Sequence, residues 1–251
     1  MNGKKDVLQA NVTITDGALK DAKIIFKTLK EGKEIEAKEN KVSSTQRLYE
    51  LELKGVYNYA EEEIIAVAMP TDSIGKQQII SSFNLVHIKN EKPKVYLVPL
   101  DKASKERLEK IEENIKKSYK VVGVDFEIVK EDVLDITDLG IGNTIASGDP
   151  KLMSTYGSDQ VKINNYYLNK RSKELRYVVF VTEKSSSTGQ AGYMRLNGQF
   201  GYVFGKAPLK TAAHELGHGV FKLEHPTSTS DKLLMGYGTG EFLSHLDWKQ
   251  I

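Results

Sequence analysis

Thr211-Ala-Ala-His214-Glu215-Leu-Gly-His218-Gly-Val-Phe-Lys-Leu-Glu224-His225 holds three of the five histidines of a 251-residue chain. On an α-helix, side chains four residues apart stack on one face, so His214 and His218 can grip a single cation, with Glu215 beside them. Zinc held by neutral imidazoles lowers the pKa of a bound water to about 7, and an adjacent carboxylate can take that proton and return it to a leaving amine. The pattern points to hydrolysis of peptide bonds. The flanking Thr211, Ala212, Ala213, Leu216 and Gly217 read as a buried helix, where two histidines and a carboxylate without partners would be costly. Pro226 stops any continued helix just past His225. A short apolar turn, Leu233-Leu-Met235-Gly-Tyr237, follows.

These residues resemble the metzincin branch of the zinc peptidases, which reads His-Glu-x-x-His-x-x-Gly-x-x-His and then a Met-containing turn, often Met-x-Tyr. Met235-Gly-Tyr237 fits the turn, whereas Phe221 stands at the glycine position and Glu224 at the third-ligand position, with His225 one residue late. A closer likeness is to the zincin domains of large secreted or toxin-like proteins of Bacteroidetes-type bacteria. Those look like His-Glu-Leu-Gly-His-Gly-x-Phe-x-Leu-x-His, then Leu-Met-x-Tyr, and end in a Trp-containing helix. His214 to His225, Leu234 to Tyr237 and Asp247-Trp248 match, and the likeness extends upstream to Gly192-Tyr-Met-Arg and Gln199-Phe-Gly-Tyr-Val-Phe204.

The resemblance implies one catalytic zinc ion (Zn2+) on His214, His218 and a third ligand, with Glu215 as general base and then acid. Three imidazoles and a water make a tetrahedral catalytic site, which favours His225 as the third ligand; Glu224 keeps the usual register and stays the alternative. Met235 is expected as an apolar floor under the metal. Tyr237 is expected to reach the zinc or to donate to the oxyanion on the scissile carbonyl, the plain alternative being a surface turn tyrosine. His245 and Asp247 are later candidates, for outer positions or solvent.

Composition narrows the rest. Hydrophobic residues at 39% and charged ones at 28% describe a soluble, globular chain, and a net charge of +2 with no basic block excludes nucleic acid as a partner. With no cysteine there is no disulfide, no thiol nucleophile and no thiolate metal site. No apolar run follows Met1 and no window approaches a membrane span. The expectation, drawn from the resemblance to exported proteins, is a secreted or cell-surface protein seen as a mature piece behind a start methionine, with a cytoplasmic location left open. The expected partner is a peptide or protein substrate; the oligomeric state is not readable.

Residues 1–92 read as β throughout, with runs at 7–14, 23–29, 33–37, 47–53, 62–68 and 77–88 broken by turn residues, which suggests an immunoglobulin-like sandwich. His87 falls within the last run, with no chemistry around it. From 93 onward the grammar alternates. A buried-type strand at 95–100 leads to a helix capped by Asp101 or Ser104, with Leu108, Ile111, Ile115 and Tyr119 on one face, then a strand at 124–129. Strand, helix and strand of this length imply a parallel pair. A helix within 158–170, a strand at 176–182 and a hairpin across Asn197-Gly198 follow, and Pro208 starts the histidine helix.

The expected fold class is α+β: an all-β, immunoglobulin-like sandwich over residues 1–92, then a metzincin-like α/β catalytic domain over 93–251. The expected function is that of a zinc-dependent endopeptidase, with one strand of the hairpin, 193–196 or 200–204, pairing with extended substrate. The alternative is a binding or adhesion module whose zinc site is degenerate or structural.

Overall fold

The computed structural model describes residues 5–54, 61–70, 76–86, 90–171, 176–227 and 231–251. His87 lies outside them. The chain forms a mixed α+β structure with several sheets and few helices, divided into two compact units, Met1–Lys89 and Asn90–Ile251.

Among the described residues the first unit has seven strands: β1 (Lys5–Thr13), β2 (Lys23–Thr28), β3 (Glu34–Ile35), β4 (Ala37–Lys41), β5 (Gln46–Lys54), β6 (Glu61–Met69) and β7 (Gln78–Val86). They make two antiparallel sheets, ordered β1-β5-β4 and β3-β2-β6-β7. Alternation decides which face is buried: Ile24 and Phe26 of β2, Tyr49 and Leu51 of β5, and Ile64, Ala66 and Ala68 of β6 meet in one core. Strand β4, Ala-Lys-Glu-Asn-Lys, carries no hydrophobic alternation; it exists because β5 offers it an edge.

The second unit is organised by a five-stranded sheet of β8 (Lys94–Pro99), β9 (Glu127–Lys130), β11 (Tyr177–Thr182), β13 (Gly192–Met194) and β14 (Phe200–Phe204), in the order β13-β14-β11-β8-β9. Two short strands, β10 (Thr144–Ile145) and β12 (Ser185–Ser186), pair beside it. The first three pairings from β9 inward, β9 with β8, β8 with β11 and β11 with β14, are parallel, whereas β13 runs antiparallel to β14. Helices α1 (Lys102–Lys105), α2 (Leu108–Lys120), α3 (Ser158–Lys170), α4 (Lys210–Phe221) and α5 (His245–Gln250) complete it.

Successive side chains of a strand face opposite ways, and here both faces are covered. Val95, Leu97, Val179, Val181 and Val203 pack with Ile111, Ile115 and Tyr119 of α2 and Ala212, Ala213 and Leu216 of α4. The opposite face, Val98, Val178, Phe180, Phe200, Tyr202 and Phe204, packs with Ile163 and Tyr167 of α3. Asp101 ties two strand ends together: it caps α1 through Ser104 N at 2.8 Å and accepts from Thr182 Oγ1 at 3.0 Å and Glu183 N at 2.9 Å. Pro208 sits two residues ahead of α4, whose first residue is Lys210.

Candidate metal centre

Helix α4 carries two glycines in its second half, although each costs about 1 kcal/mol against alanine in a helix interior. Contacts explain both. A Cβ on Gly217 would lie 2.6 Å from Met235 Sδ and 3.0 Å from the Tyr119 hydroxyl, so Met235 is packed directly under the helix. A Cβ on Gly219 would run into the Met194 side chain and lie 2.9 Å from the Gly198 carbonyl oxygen. The hairpin between β13 and β14 thus presses on the same helix, and Asn197 N, at the hairpin tip, donates to His218 O at 2.9 Å. The Tyr119 hydroxyl, buried, donates to Ala213 O at 2.9 Å and fastens α2 to α4 beside His214.

The end of α4 sets the third histidine. Phe221 stays helical and packs tilted against Tyr119 and edge-to-face against Phe126, and the left-handed residue that closes the helix is Lys222, at φ 59°. A glycine commonly takes that conformation at helix ends. The turn therefore comes one residue later than the glycine of the metzincin pattern, and His225 follows it by three residues, the separation between glycine and third histidine in that pattern. The one-residue displacement of His225 and the phenylalanine at 221 are one change, not two.

The three imidazoles converge. Nε2 of His214 lies 3.1 Å from Nε2 of His218 and 3.2 Å from Nε2 of His225, and the last two are 3.2 Å apart. His214 Nδ1 donates to Leu234 O at 2.8 Å, and His218 Nδ1 to Leu223 O at 2.6 Å. A carbonyl only accepts, so in both rings the proton sits on Nδ1 and Nε2 is a bare lone pair in the neutral form. Burial lowers the pKa of His214 to about 4 and of His218 to about 3, and lowers that of His225. Two lone pairs 3.1 Å apart repel unless a cation lies between them. Zinc with bonds of 2.0–2.1 Å in tetrahedral geometry spaces its nitrogens by about 3.3 Å. The His214, His218 and His225 triangle fits such an ion; Glu224 is exposed and outside the group.

Glu215 is buried against the edge strand. A Cβ on Gly192 would fall 2.5 Å from its Oε1, so only glycine lets β13 approach so closely. Burial pushes the Glu215 carboxyl well above its ordinary range, and a hydrogen bond from Met194 N partly offsets this. Glu215 and the three histidines open into one cavity of about 240 Å³, whose walls include Tyr193, Met194, Lys210 and Tyr237. Met235 does not line it. Tyr237 is 85% exposed, and its hydroxyl lies 3.2 Å from Nδ1 of His225, the nitrogen facing away from the triangle. Asp247 caps α5 through Ser244 N at 2.7 Å, and His245 is exposed; neither joins the group.

Among the described residues β13 is the last strand of the sheet, with β14 as its only strand neighbour. Ala191 O accepts from Phe204 N at 2.8 Å, so alternation turns the backbone groups of Gly192 and Met194 the other way, toward Glu215. Phe200–Phe204 is paired on both sides, by β13 and β11, which removes it as a strand that substrate could join. Two lining residues carried no motif in the sequence: Lys210, four residues before His214, and Gln190. The spacing of Lys210 was a signal available to a helical reading; Gln190 had none.

The sequence matches no known protein-family model and no curated protein. Among solved structures, archaemetzincin from Methanopyrus kandleri is similar at 17% identity and a TM-score of 0.41, over 63% of this chain and 86% of that one. The functional reading rests on the geometry of the site. No helix among the described residues is long and apolar enough to cross a membrane.

Proposed function

We propose that residues 93–251 form a metzincin-like, zinc-dependent endopeptidase. The observation that carries this is the triangle of His214, His218 and His225 nitrogens, 3.1–3.2 Å on each edge, sharing a cavity with the buried Glu215. One zinc bound there supplies a Lewis acid and a water acidified to a pKa of about 7. The chain's own residues do the rest. Glu215 takes the proton of the attacking water and returns it to the leaving amine; its burial in the cavity beside the histidines supports that role. The open edge of β13 pairs with the extended substrate and lays the scissile bond beside Glu215. Tyr237 orients His225 through Nδ1 and remains our candidate for oxyanion assistance once substrate is bound. A purely structural zinc site in a binding module has no use for Glu215, buried where its charge is disfavoured.

The first unit, Met1–Lys89, we read as an immunoglobulin-like sandwich, ending three residues before the boundary at 92 that the sequence suggests. Lettering its seven strands B, C, C′, D, E, F and G in chain order turns the two sheets into B-E-D and C′-C-F-G, the immunoglobulin arrangement without its first strand. We place the protein outside the cell or at its surface, as for the secreted zincins that the motif resembles, because an open peptidase cleft in a cytoplasm needs restraint.

The test is cleavage of a mixed-sequence quenched peptide library by the zinc-loaded protein and by Glu215→Gln. Loss of about 10²–10⁴-fold in rate, with zinc still bound, is expected. Cleavage indifferent to the substitution and to a chelator would overturn the reading.

A further inference from the structure

Lys210 opens α4 and lies one turn before His214 on the same helix face. Its side chain is half-buried, lines the cavity, and makes a hydrogen bond to Gly236 O at 3.1 Å. Among the described residues no carboxylate forms an ion pair with it. Glu241, whose charge reaches it, is already held by Lys117 at 2.8 Å and Asn114 at 2.7 Å. Burial lowers the Lys210 pKa, the Glu241 charge opposing. An ammonium that gives up hydration, spends one donor on a carbonyl and keeps two others has the charge and the free N–H groups to receive an anion.

A second group in the same cavity points to a ligand independently. Gln190 lines it, and both its Oε1 and Nε2 are buried without a protein partner among the described residues. Leaving such an amide unpaired is costly. A peptide unit, one N–H and one C=O, carries the two groups that such an amide pairs with. Gln190 stands two residues ahead of β13, where an extended chain pairing with that edge would pass.

We propose that this site selects peptides with a carboxylate next to the scissile bond, the carboxylate held by Lys210 and the adjoining peptide group by Gln190; this rests on the peptidase reading above. The carboxylate has two sources, the C-terminus of the substrate or an Asp or Glu side chain.

Binding separates this inference from the hydrolysis it rests on. Zinc-loaded Glu215→Gln is titrated calorimetrically with short peptides in two matched pairs, free against amidated C-terminus and internal Glu against Gln. At least one pair is expected to show a preference of about tenfold or more for the charged member, the size of a charge-assisted hydrogen bond; the pair that shows it names the source. Adding Lys210→Met should reduce that ratio to about one, and Lys210→Arg should retain most of it, with zinc content checked in each. Equal affinity within both pairs, or a preference that survives Lys210→Met, overturns the proposal. If the wild-type protein cleaves none of the peptides, the peptidase reading fails, and the same titrations still decide whether Lys210 selects a carboxylate.

Discussion

Nδ1 of His218 lies 2.6 Å from the carbonyl oxygen of Leu223, five residues on, across the turn that ends α4. That one bond fixes the tautomer of the ring and holds the turn that delivers His225. The left-handed Lys222 sits between the two partners, in a conformation that costs a side-chain-bearing residue roughly 1 kcal/mol or more. Replacing Lys222 with glycine relieves that strain, part of the gain being offset by greater freedom of the unfolded chain. A net gain of about 0.5–1 kcal/mol, a rise of about 1–4 °C in the melting midpoint, is expected. A lower midpoint would show that the lysine side chain holds the turn.

Gly219 marks where the hairpin meets the helix. A methyl group there collides with Met194 and crowds Gly198 O, so Gly219→Ala is expected to destabilise by about 1–3 kcal/mol, as overpacking does. A urea midpoint unchanged from wild type would mean that the hairpin does not press on α4 as described.

How much of this was legible beforehand follows from which interactions are local. The pairing of His214 with His218 and the buried face of α2 are matters of helical spacing, and both could be read from the residues alone. Strand β4 could not: its polar sequence has no period, and only its neighbour β5 makes it a strand. The choice between the two strands of the hairpin was equally closed, because whether β14 has a free edge depends on β11, some twenty residues earlier. Lys222 gives no sign that it will turn left-handed, so the place of His225 had to be argued from donor chemistry. Gln190 carries no pattern at all; its burial without a partner is visible only in three dimensions.

Tyr237 reaches the site through His225. Were Nε2 of His225 to hold zinc as proposed, the ring proton would sit on Nδ1 and be donated to the phenol oxygen, which lies 3.2 Å away. Groups that orient a metal ligand in this way are worth about 10–100-fold in activity or metal affinity. Tyr237→Phe should therefore lower turnover by at least about tenfold while zinc stays bound at saturating metal. Unaltered turnover would remove the phenol from the reaction.

Asp101 makes stability depend on acid. Burial raises its pKa, but hydrogen bonds from Glu183 N, from Ser104 and from Thr182 outweigh this and leave it below the ordinary aspartate value. A lowered folded-state pKa means that the unfolded chain binds the proton first, so the stabilisation is full above about pH 4 and drains away as pH falls through the lowered value. Asp101→Asn removes that dependence. Between pH 7 and pH 3 the urea midpoint of wild type should fall further than that of the variant; parallel falls would assign the acid sensitivity to other groups.

The most direct test of the metal site is elemental analysis of the purified protein for wild type, His225→Ala and Glu224→Ala. The triangle of Nε2 atoms predicts one zinc per chain in wild type and in Glu224→Ala, and its loss in His225→Ala. Zinc retained by His225→Ala but lost from Glu224→Ala, or no zinc in wild type even when it is supplied, would contradict the account.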